Sequence, residues 1–315
     1  MVKNTKLNIR AKLFSYFTAM YTPKLNQSNF PKMIKSFSTS LLMFFALSCI
    51  FTVSANAQYY YKDIWNNQQL IREFSILKSD NLRTIKIKSF EDDGEPSDGF
   101  FCEKKINKSF SQSQMISKSN ITGQSLLVSD YSADGRPVKS TDDTPTTFSA
   151  TNYEYDQSGK LKLIRTTTKA DEDSGEIVET HEYFYDEQGL LSKMLRKKND
   201  ILITTVKFLN DVSGNTIEED VDSDSRLEKK YYYYYDSKNR LTDVVHYNFS
   251  AKRLLPSYMY EYNTQGMPKQ MISTEEGGSN YFIWKYTYND KNLRDAEKCF
   301  SKERRLLGTI QYEYN

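Results

Sequence analysis

The chain has 315 residues, of which 43 are Lys or Arg and 41 are Asp or Glu, giving a formal net charge of +2. Seven of the basic residues and none of the acidic ones lie in the first 57 positions, which leaves 36 basic and 41 acidic residues and a net charge of −5 for the remainder. A mildly acidic chain without a basic cluster does not have the positive surface that phosphate backbones require. The composition therefore excludes a nucleic-acid-binding function.

The first 57 residues are typical of a secretory signal peptide. Lys32 and Lys35 precede an apolar run that begins at Leu41, and the stretch from Ala55 to Ala57 forms a small-x-small cleavage site. The apolar run is shorter than the ~20 residues that a membrane-spanning helix needs. We therefore expect cleavage after Ala57 and export to the periplasm, the cell surface or the medium; an uncleaved membrane anchor is the alternative.

Two features of the leader leave alternatives open. Met33 begins a signal of ordinary length and is an alternative initiator. Cys49 follows a stretch that resembles a lipobox, although the apolar run continues beyond it, and lipidation there is an alternative to simple cleavage. After residue 57 two cysteines remain, Cys102 and Cys299. An oxidising compartment would allow them to form a disulfide, and two free buried thiols are the alternative.

Residues 58–124 are expected to form an N-terminal cap region. Asp63 is predicted to cap a short helix whose apolar residues recur at helical spacing: Ile64, Leu70, Ile71 and Phe74. Residues 84–88 alternate between apolar and polar like an edge strand, and residues 91–99 are an acidic loop by their Gly and Pro content. A repeat array needs an atypical terminal unit to cover its open face, and we assign that role to this region.

A tyrosine motif recurs through residues 125–315. It reads Tyr-x-Tyr-Asp or Tyr-x-Tyr-Asn, followed by Gly or Asn three residues later, and copies begin at Tyr153, Tyr183, Tyr233, Tyr260, Tyr286 and Tyr312, with degenerate copies at Tyr131 and Phe208. The turn positions Gly135, Gly159, Gly189, Gly214, Asn239, Gly266 and Asn292 are 24, 30, 25, 25, 27 and 26 residues apart. This spacing indicates one repeated unit whose loops vary in length.

The chemistry of the motif predicts a β-hairpin. Tyr-x-Tyr places two rings on the same face of a strand. The following Asp or Asn begins a type I turn by accepting hydrogen bonds from the backbone ahead, and Gly or Asn three residues later suits the left-handed conformation that ends a bulged hairpin. We therefore predict an all-β fold of tandem antiparallel β-hairpin repeats that form a curved or spiralling sheet, with a small helical cap at the mature N-terminus. Exposed hairpin edges at the C-terminus would favour self-association.

These units resemble YD repeats, the Tyr-Asp elements of Rhs-type and wall-associated bacterial proteins. The resemblance covers residues 125–315 and implies a spiralling antiparallel sheet in an exported protein. Seven or eight motif copies are fewer than the large family members use for a closed cocoon, and no cleavage motif or toxin domain follows the last copy. The resemblance therefore does not extend to encapsulation of cargo.

Candidate catalytic and metal sites are sparse. His181 and His246 lie in separate strands and are expected to be solvated or satisfied strand histidines, because zinc needs three or four converging ligands. One run has carboxylates at alternate positions, as a calcium loop does: Asp220, Asp222 and Asp224. Ser225 stands where that loop needs Gly. We therefore predict no metal, no other cofactor and no enzymatic activity, and the aspartates are more simply a solvated hairpin loop.

Tyrosine is the most prominent residue type, and 22 of the 24 tyrosines follow residue 57. Cross-strand aromatic pairs stabilise a sheet by roughly 0.2 to 1 kcal/mol each, so a packing ladder is the first interpretation. The second is a platform of exposed rings for sugars, formed by Trp284 with Tyr281 and Tyr286. The sequence thus suggests a non-catalytic envelope module that recognises a glycan or another surface polymer, with polysaccharide or envelope protein as partner; the alternative is an Rhs-like shell or accessory segment that wraps or presents another polypeptide.

Overall fold

The computed structural model describes residues 59–170, 175–223, 226–275 and 279–315. The predicted signal peptide, including Met33 and Cys49, lies outside these ranges, and so does Asp224. The described residues form one α-helix and eighteen β-strands.

The helix and the strands follow each other along the chain without long gaps. They are α1 Tyr61–Ser79, β1 Thr84–Phe90, β2 Phe101–Ile106, β3 Gln112–Ser119, β4 Gly123–Tyr131, β5 Pro137–Asp143, β6 Phe148–Tyr155, β7 Leu161–Lys169, β8 Ile177–Tyr185, β9 Leu191–Lys198, β10 Ile201–Asn210, β11 Thr216–Ser223, β12 Arg226–Tyr235, β13 Leu241–Asn248, β14 Arg253–Tyr262, β15 Pro268–Thr274, β16 Tyr281–Tyr288, β17 Arg294–Phe300 and β18 Leu306–Tyr314.

The strands form a closed antiparallel barrel. Each strand pairs with the next one in the chain, and β1 also pairs with β18, where Ile87 lies opposite Tyr312. The predicted fold class, all-β hairpin repeats with a small helix near the mature N-terminus, is confirmed. The expectation of a free strand edge at the C-terminus is wrong, because β1 pairs with β18 and closes the barrel. An edge-to-edge route to self-association is therefore absent among these eighteen strands.

The region predicted as an N-terminal cap supplies part of the barrel wall. It provides α1 and the strands β1 to β3, and β4 begins at Gly123 and continues across the boundary expected at residues 124 and 125. The stretch 84–88, expected to be an edge strand, lies between β18 and β2. Residues 91–99 form a loop between β1 and β2, as predicted.

The motif turns have the predicted conformation. All seven turn positions have a positive φ, between 56° at Asn239 and 84° at Gly135 and Gly159. In the turn after β12, Asp236 Oδ1 accepts hydrogen bonds from the backbone N–H groups of Lys238 at 2.9 Å and Arg240 at 3.1 Å. The strand register shifts beside the second tyrosine of the motif, as at Tyr235. These features are those of a type I turn closed by a β-bulge.

Because strands alternate in direction, all seven motif turns lie at one end of the barrel, which we call the motif end. Helix α1 packs against the inner wall at this end. Its Asn67 Nδ2 donates to Tyr155 Oη at 2.8 Å, and its Phe74 ring stacks on Tyr131 with ring centroids 3.8 Å apart. Ile64 and Phe74 of the predicted apolar helix positions are buried, whereas Leu70 is only half-buried. Helix α1 therefore fills the part of the barrel interior that the tyrosine side chains do not occupy.

The outer face of the barrel carries charged side chains. Lys230 Nζ lies 2.5 Å from Glu218 Oε1 and 3.0 Å from Asp220 Oδ1, and Lys207 Nζ lies 2.9 Å from Asp222 Oδ2. These residues alternate with inward-facing residues such as Val206, Val221 and Tyr231, which are buried. On these three strands apolar and aromatic side chains such as these face inward and the ion pairs face outward, as the period of two requires.

Candidate functional site

The aromatic residues singled out from the sequence do not share a surface. Trp284 and Tyr286 are 4% and 8% exposed and point into the barrel, where Trp284 packs with Cys299. Tyr281 is half-buried and lies on the other face of β16, because it is three residues from Trp284. These three residues therefore cannot form one exposed platform.

The aspartates considered for calcium lie in a strand instead of a loop. Asp220 and Asp222 belong to β11 and are paired with Lys230 and Lys207 on the outer face. Asp224 lies outside the described residues. In the part of the chain that the structure describes, no group of three or more His, Cys, Asp or Glu side chains is placed to hold a metal ion.

The two cysteines are free and buried. Cys102 lies in β2 and Cys299 in β17, with β1 and β18 between them. Three strand spacings correspond to about 14 Å, which exceeds the Cα separation that a disulfide spans. The disulfide considered from the sequence is therefore wrong, and the free-thiol alternative is correct. Burial raises the pKa of each thiol to about 12, so both are protonated and unreactive at neutral pH.

Asp63 does not cap α1. The helix begins at Tyr61, and Asp63 lies in its first turn with its side chain directed at the barrel wall. Asp63 Oδ2 accepts a hydrogen bond from Tyr183 Oη at 2.7 Å and lies 2.7 Å from His181 Nδ1. The capping prediction is wrong because this carboxylate is used for a tertiary contact with β8.

The wall of the barrel caps the helix instead. Tyr60 N donates to Glu219 Oε1 at 2.8 Å and Tyr61 N donates to Glu219 Oε2 at 2.9 Å. Tyr233 Oη also donates to Glu219 Oε2, at 2.6 Å. Glu219 is fully buried, and burial raises its pKa to about 7, against the opposing effect of these hydrogen bonds. One carboxylate of β11 thereby accepts hydrogen bonds from two of the backbone N–H groups at the helix start, where such groups have no partner within the helix.

His181 joins the helix to two strands. Its Nε2 lies 3.1 Å from Glu179 Oε1, and Arg196 Nη2 donates to Glu179 Oε2 at 2.8 Å. Burial lowers the pKa of His181, but its hydrogen bonds to Asp63 and Glu179 outweigh burial and raise that pKa to about 9. His181 is thus a cation at neutral pH and balances the buried carboxylates. The interpretation of His181 as a satisfied strand histidine is confirmed.

The second tyrosine of each motif links neighbouring repeats. Its hydroxyl donates to a backbone carbonyl one repeat back, at 2.6 to 2.9 Å, in the pairs Tyr155 with Pro137, Tyr185 with Leu161, Tyr235 with Thr216, Tyr262 with Leu241, Tyr288 with Pro268 and Tyr314 with Arg294. In the degenerate copy that begins at Phe208, Asn210 replaces the second tyrosine, and its Nδ2 donates to the carbonyl of Leu191 at 2.8 Å. The repeated tyrosine is therefore a structural link at the motif end.

Removing one of these hydroxyls has a defined expected cost. Tyr235→Phe loses the 2.7 Å bond to the Thr216 carbonyl, and we expect a loss of about 1 kcal/mol in the free energy of unfolding. Tyr234→Phe is the matched control, because its ring is 48% exposed on the outer face and should leave stability unchanged. Urea unfolding of both variants measures the difference; equal stabilities would contradict the structural link.

A cleft of about 100 Å³ opens at the motif end between α1 and the strands β15 to β18. Its aromatic lining comes from Trp65 on the helix and from Tyr288, Tyr312 and Tyr314 on the wall. Arg294 also lines it, and its Nη1 donates to Glu297 Oε1 at 2.7 Å, so this guanidinium is neutralised.

Polar groups in the cleft are available to a ligand. Asn66 and Gln69 of α1 and Asn292 of the turn after β16 line it, and their side-chain amides make no hydrogen bond to any residue of the described chain. The hydroxyls of Tyr288 and Tyr314 donate to backbone carbonyls, so these two residues would contact a ligand through the faces of their rings. The sequence did not identify these amides or Trp65 as site residues, because only the packing of α1 against the barrel wall brings them to the cleft.

Comparison with known proteins gives no family. No protein-family model matches the chain, and no curated protein matches it. A porin-like protein from Bacteroides uniformis has 9% sequence identity and a TM-score of 0.35, covering 74% of this chain and 98% of that one. A porin-like protein from Bacteroides vulgatus has 10% identity and a TM-score of 0.25 over the same shares.

A third solved structure, of TcdB2-TccC3, has 11% identity and a TM-score of 0.26, covering 70% of this chain and 17% of that one. At these TM-scores the similarities carry no inference about function. No helix in the described ranges combines the length and apolar character needed to cross a membrane.

Proposed function

We propose that this chain is an exported, non-catalytic protein of the cell envelope that binds a carbohydrate in the cleft between α1 and β15 to β18. The observation that carries the proposal is the combination of aromatic faces with free side-chain amides in one cleft. Sugar rings present apolar faces that stack on Trp and Tyr and hydroxyl groups that pair with the few polar groups of a binding site.

The charges in the cleft favour an uncharged ligand. Arg294 is paired with Glu297, and Arg72 and Glu73, which both line the cleft, have opposite charges. An anionic ligand would need a cation without an acidic neighbour. A neutral saccharide needs none.

Two further parts of the proposal rest on the sequence. The signal peptide supports export, and the motif supports membership of the YD-repeat class; the barrel geometry is compatible with both. The alternative role, an Rhs-like shell that wraps another polypeptide, has less support because α1 and rings such as Tyr183, Tyr231 and Tyr233 occupy the interior.

The two tryptophans provide an internal test. Trp65 lines the cleft, whereas Trp284 is buried in a separate cluster. We expect the intrinsic fluorescence of the exported protein to change saturably during titration with a neutral oligosaccharide from a cell-wall and plant glycan panel. Trp284→Phe should keep this response, and Trp65→Phe should lose it together with binding measured by calorimetry.

The amides give an independent variant pair. Gln69→Leu removes a free amide from the cleft and should weaken binding by about tenfold, the typical value of one or two hydrogen bonds. Gln270→Leu, on the outer face of β15, should leave binding unchanged. A protein that responds to no glycan, or whose response survives Trp65→Phe, would disprove the cleft as a sugar site.

A further inference from the structure

The end of the barrel opposite the motif end, which we call the far end, carries most of the exposed apolar side chains. In the described ranges fifteen large apolar residues are exposed, and ten of them lie in a far-end turn or within three residues of one: Phe101, Ile121, Phe148, Ile177, Ile201, Leu202, Ile203, Leu227, Phe249 and Leu254. Each of the seven hairpins from β1–β2 to β13–β14 contributes at least one of them. Four of the other five lie beside motif turns, on three hairpins. Single exposed apolar residues are ordinary, whereas a group of them at one end of a molecule marks an interaction site.

Two hairpins on one side of the far end have the most exposed apolar tips. Ile201 and Leu202, which follow the two-residue turn at 199–200, are 67% and 51% exposed. Phe249 in the turn after β13 and Leu254 at the start of β14 are 47% and 46% exposed. Four strand spacings separate β10 from β14, roughly 19 Å. A partner that contacts both hairpins has to be broad and has to admit protruding side chains, as a lipid surface does.

Positive charge lies beside these tips. Lys198 is opposite the first residue of β10 in the register, and Lys252 and Arg253 directly precede the apolar start of β14. These three residues form no ion pair with any described residue, whereas Asp200 lies 3.9 Å from Arg165. The acidic loop between β1 and β2 is on the opposite side of the ring of strands. The side from β9 to β14 is therefore the part of the far end that suits phospholipid phosphates.

The predicted signal peptide joins the barrel on the side of the far end. The Tyr59 ring packs on Tyr231 and Tyr258, with centroids 6.1 Å and 5.6 Å apart, and each of these two residues is four positions from the motif end of its strand. Helix α1 runs from there to the motif end, where Lys78 Nζ donates to the carbonyl of Ala133 at 2.9 Å. The start of the described chain is thus farther from the motif end than the rest of α1. The membrane-directed leader precedes that start, so its point of attachment and the apolar tips are directed to the same end.

From the apolar tips, the cations beside them and the side on which the leader joins, we propose that the hairpins from β9–β10 to β13–β14 insert into the surface of a phospholipid bilayer. The apolar side chains enter the boundary between headgroups and acyl chains. The ammonium and guanidinium groups stay at the level of the headgroup phosphates. The cleft lies at the motif end and faces away from this surface. Lipid contact is therefore independent of the sugar site.

Flotation of the exported protein with vesicles of phosphatidylethanolamine and phosphatidylglycerol tests the contact. We expect the natural sequence to float with the vesicles. The double variant Ile201→Asp/Phe249→Asp should lower the partition coefficient by about tenfold or more, because membrane affinity scales with the apolar area that is buried. Val212→Asp is the matched control, since Val212 is a fully exposed apolar residue in a motif turn, and it should bind as the natural sequence does. Circular dichroism checks that the variants keep the fold.

A fluorescent probe identifies the end that touches the lipid. Cys102 and Cys299 are buried, so a polarity-sensitive label attaches selectively to Ile201→Cys or to Val212→Cys. Vesicles should shift the emission of the label at position 201 to shorter wavelength and leave the label at position 212 unchanged. A natural protein that does not float, a Val212→Asp variant as weak as the double variant, or equal shifts at the two labels would overturn the proposal.

Discussion

Replacing Glu219 by Ala is expected to lower the free energy of unfolding by about 3 kcal/mol or more, because several buried donors lose one acceptor together. These donors are the backbone N–H groups of Tyr60 and Tyr61 and the hydroxyl of Tyr233. The carboxylate is fully buried, so these donors have no contact with bulk solvent. Urea unfolding at pH 7 measures the loss.

The neighbouring residue provides the matched control. Glu218 lies one position earlier on β11, faces outward and pairs with Lys230 at the surface, so Glu218→Ala should cost less than about 1 kcal/mol. Glu219→Gln should cost less than Glu219→Ala, because a raised pKa of about 7 means that the barrel tolerates a neutral group at this position. Equal losses for the Glu218 and Glu219 alanine variants would contradict the capping role.

Stability should fall as the pH rises through about 9, and His181 is the cause. Its pKa is near 6.5 in the unfolded chain and about 9 in the barrel. A raised folded-state pKa contributes stability that is fully present below the unfolded pKa and is lost as the pH rises through the folded one. A difference of about 2.5 pKa units corresponds to roughly 3 kcal/mol.

His181→Gln isolates this contribution. The variant should be less stable than the natural protein at pH 6, because Asp63 and Glu179 lose the cation between them. The gap in unfolding free energy between the two proteins should narrow as the pH rises from about 6.5 to 9.5. His246→Gln is the control, since His246 pairs with the neutral hydroxyl of Ser257. A gap that does not change with pH would show that His181 is uncharged in the fold.

Local chemistry made the hairpins predictable. Asp236 and Asn239 act within one turn, so their spacing alone predicts the side-chain hydrogen bonds and the positive φ that the structure has. The alternation of Tyr233 and Tyr235 likewise predicts that the two rings share a face. Interactions within about five residues need no knowledge of the rest of the chain.

The candidate site could not be predicted in the same way. The sequence suggested that Trp284 belongs to an exposed platform for sugars, but Trp284 is buried inside the barrel. The tryptophan that lines the cleft is Trp65 of the N-terminal helix. The sequence predicted that Asp63 caps the helix, but its carboxylate binds β8. The residue that caps the helix is Glu219, which is 158 residues from Tyr61 in the chain. No local pattern distinguishes Glu219 from Glu218, because their roles differ only through which face of β11 meets the helix.

The sequence by itself determined the repeat, the turn type and which residues of a strand share a face, because these depend on backbone preferences and on the period of two along a strand. Only the tertiary structure decided that the sheet closes, with β1 between β18 and β2, and that α1 packs inside the ring. Closure depends on the accumulated twist and number of the strands, and the position of α1 depends on contacts across more than a hundred residues. Barrel closure and the position of α1 are properties of the whole chain. Together they determine where the cleft and the buried charges lie.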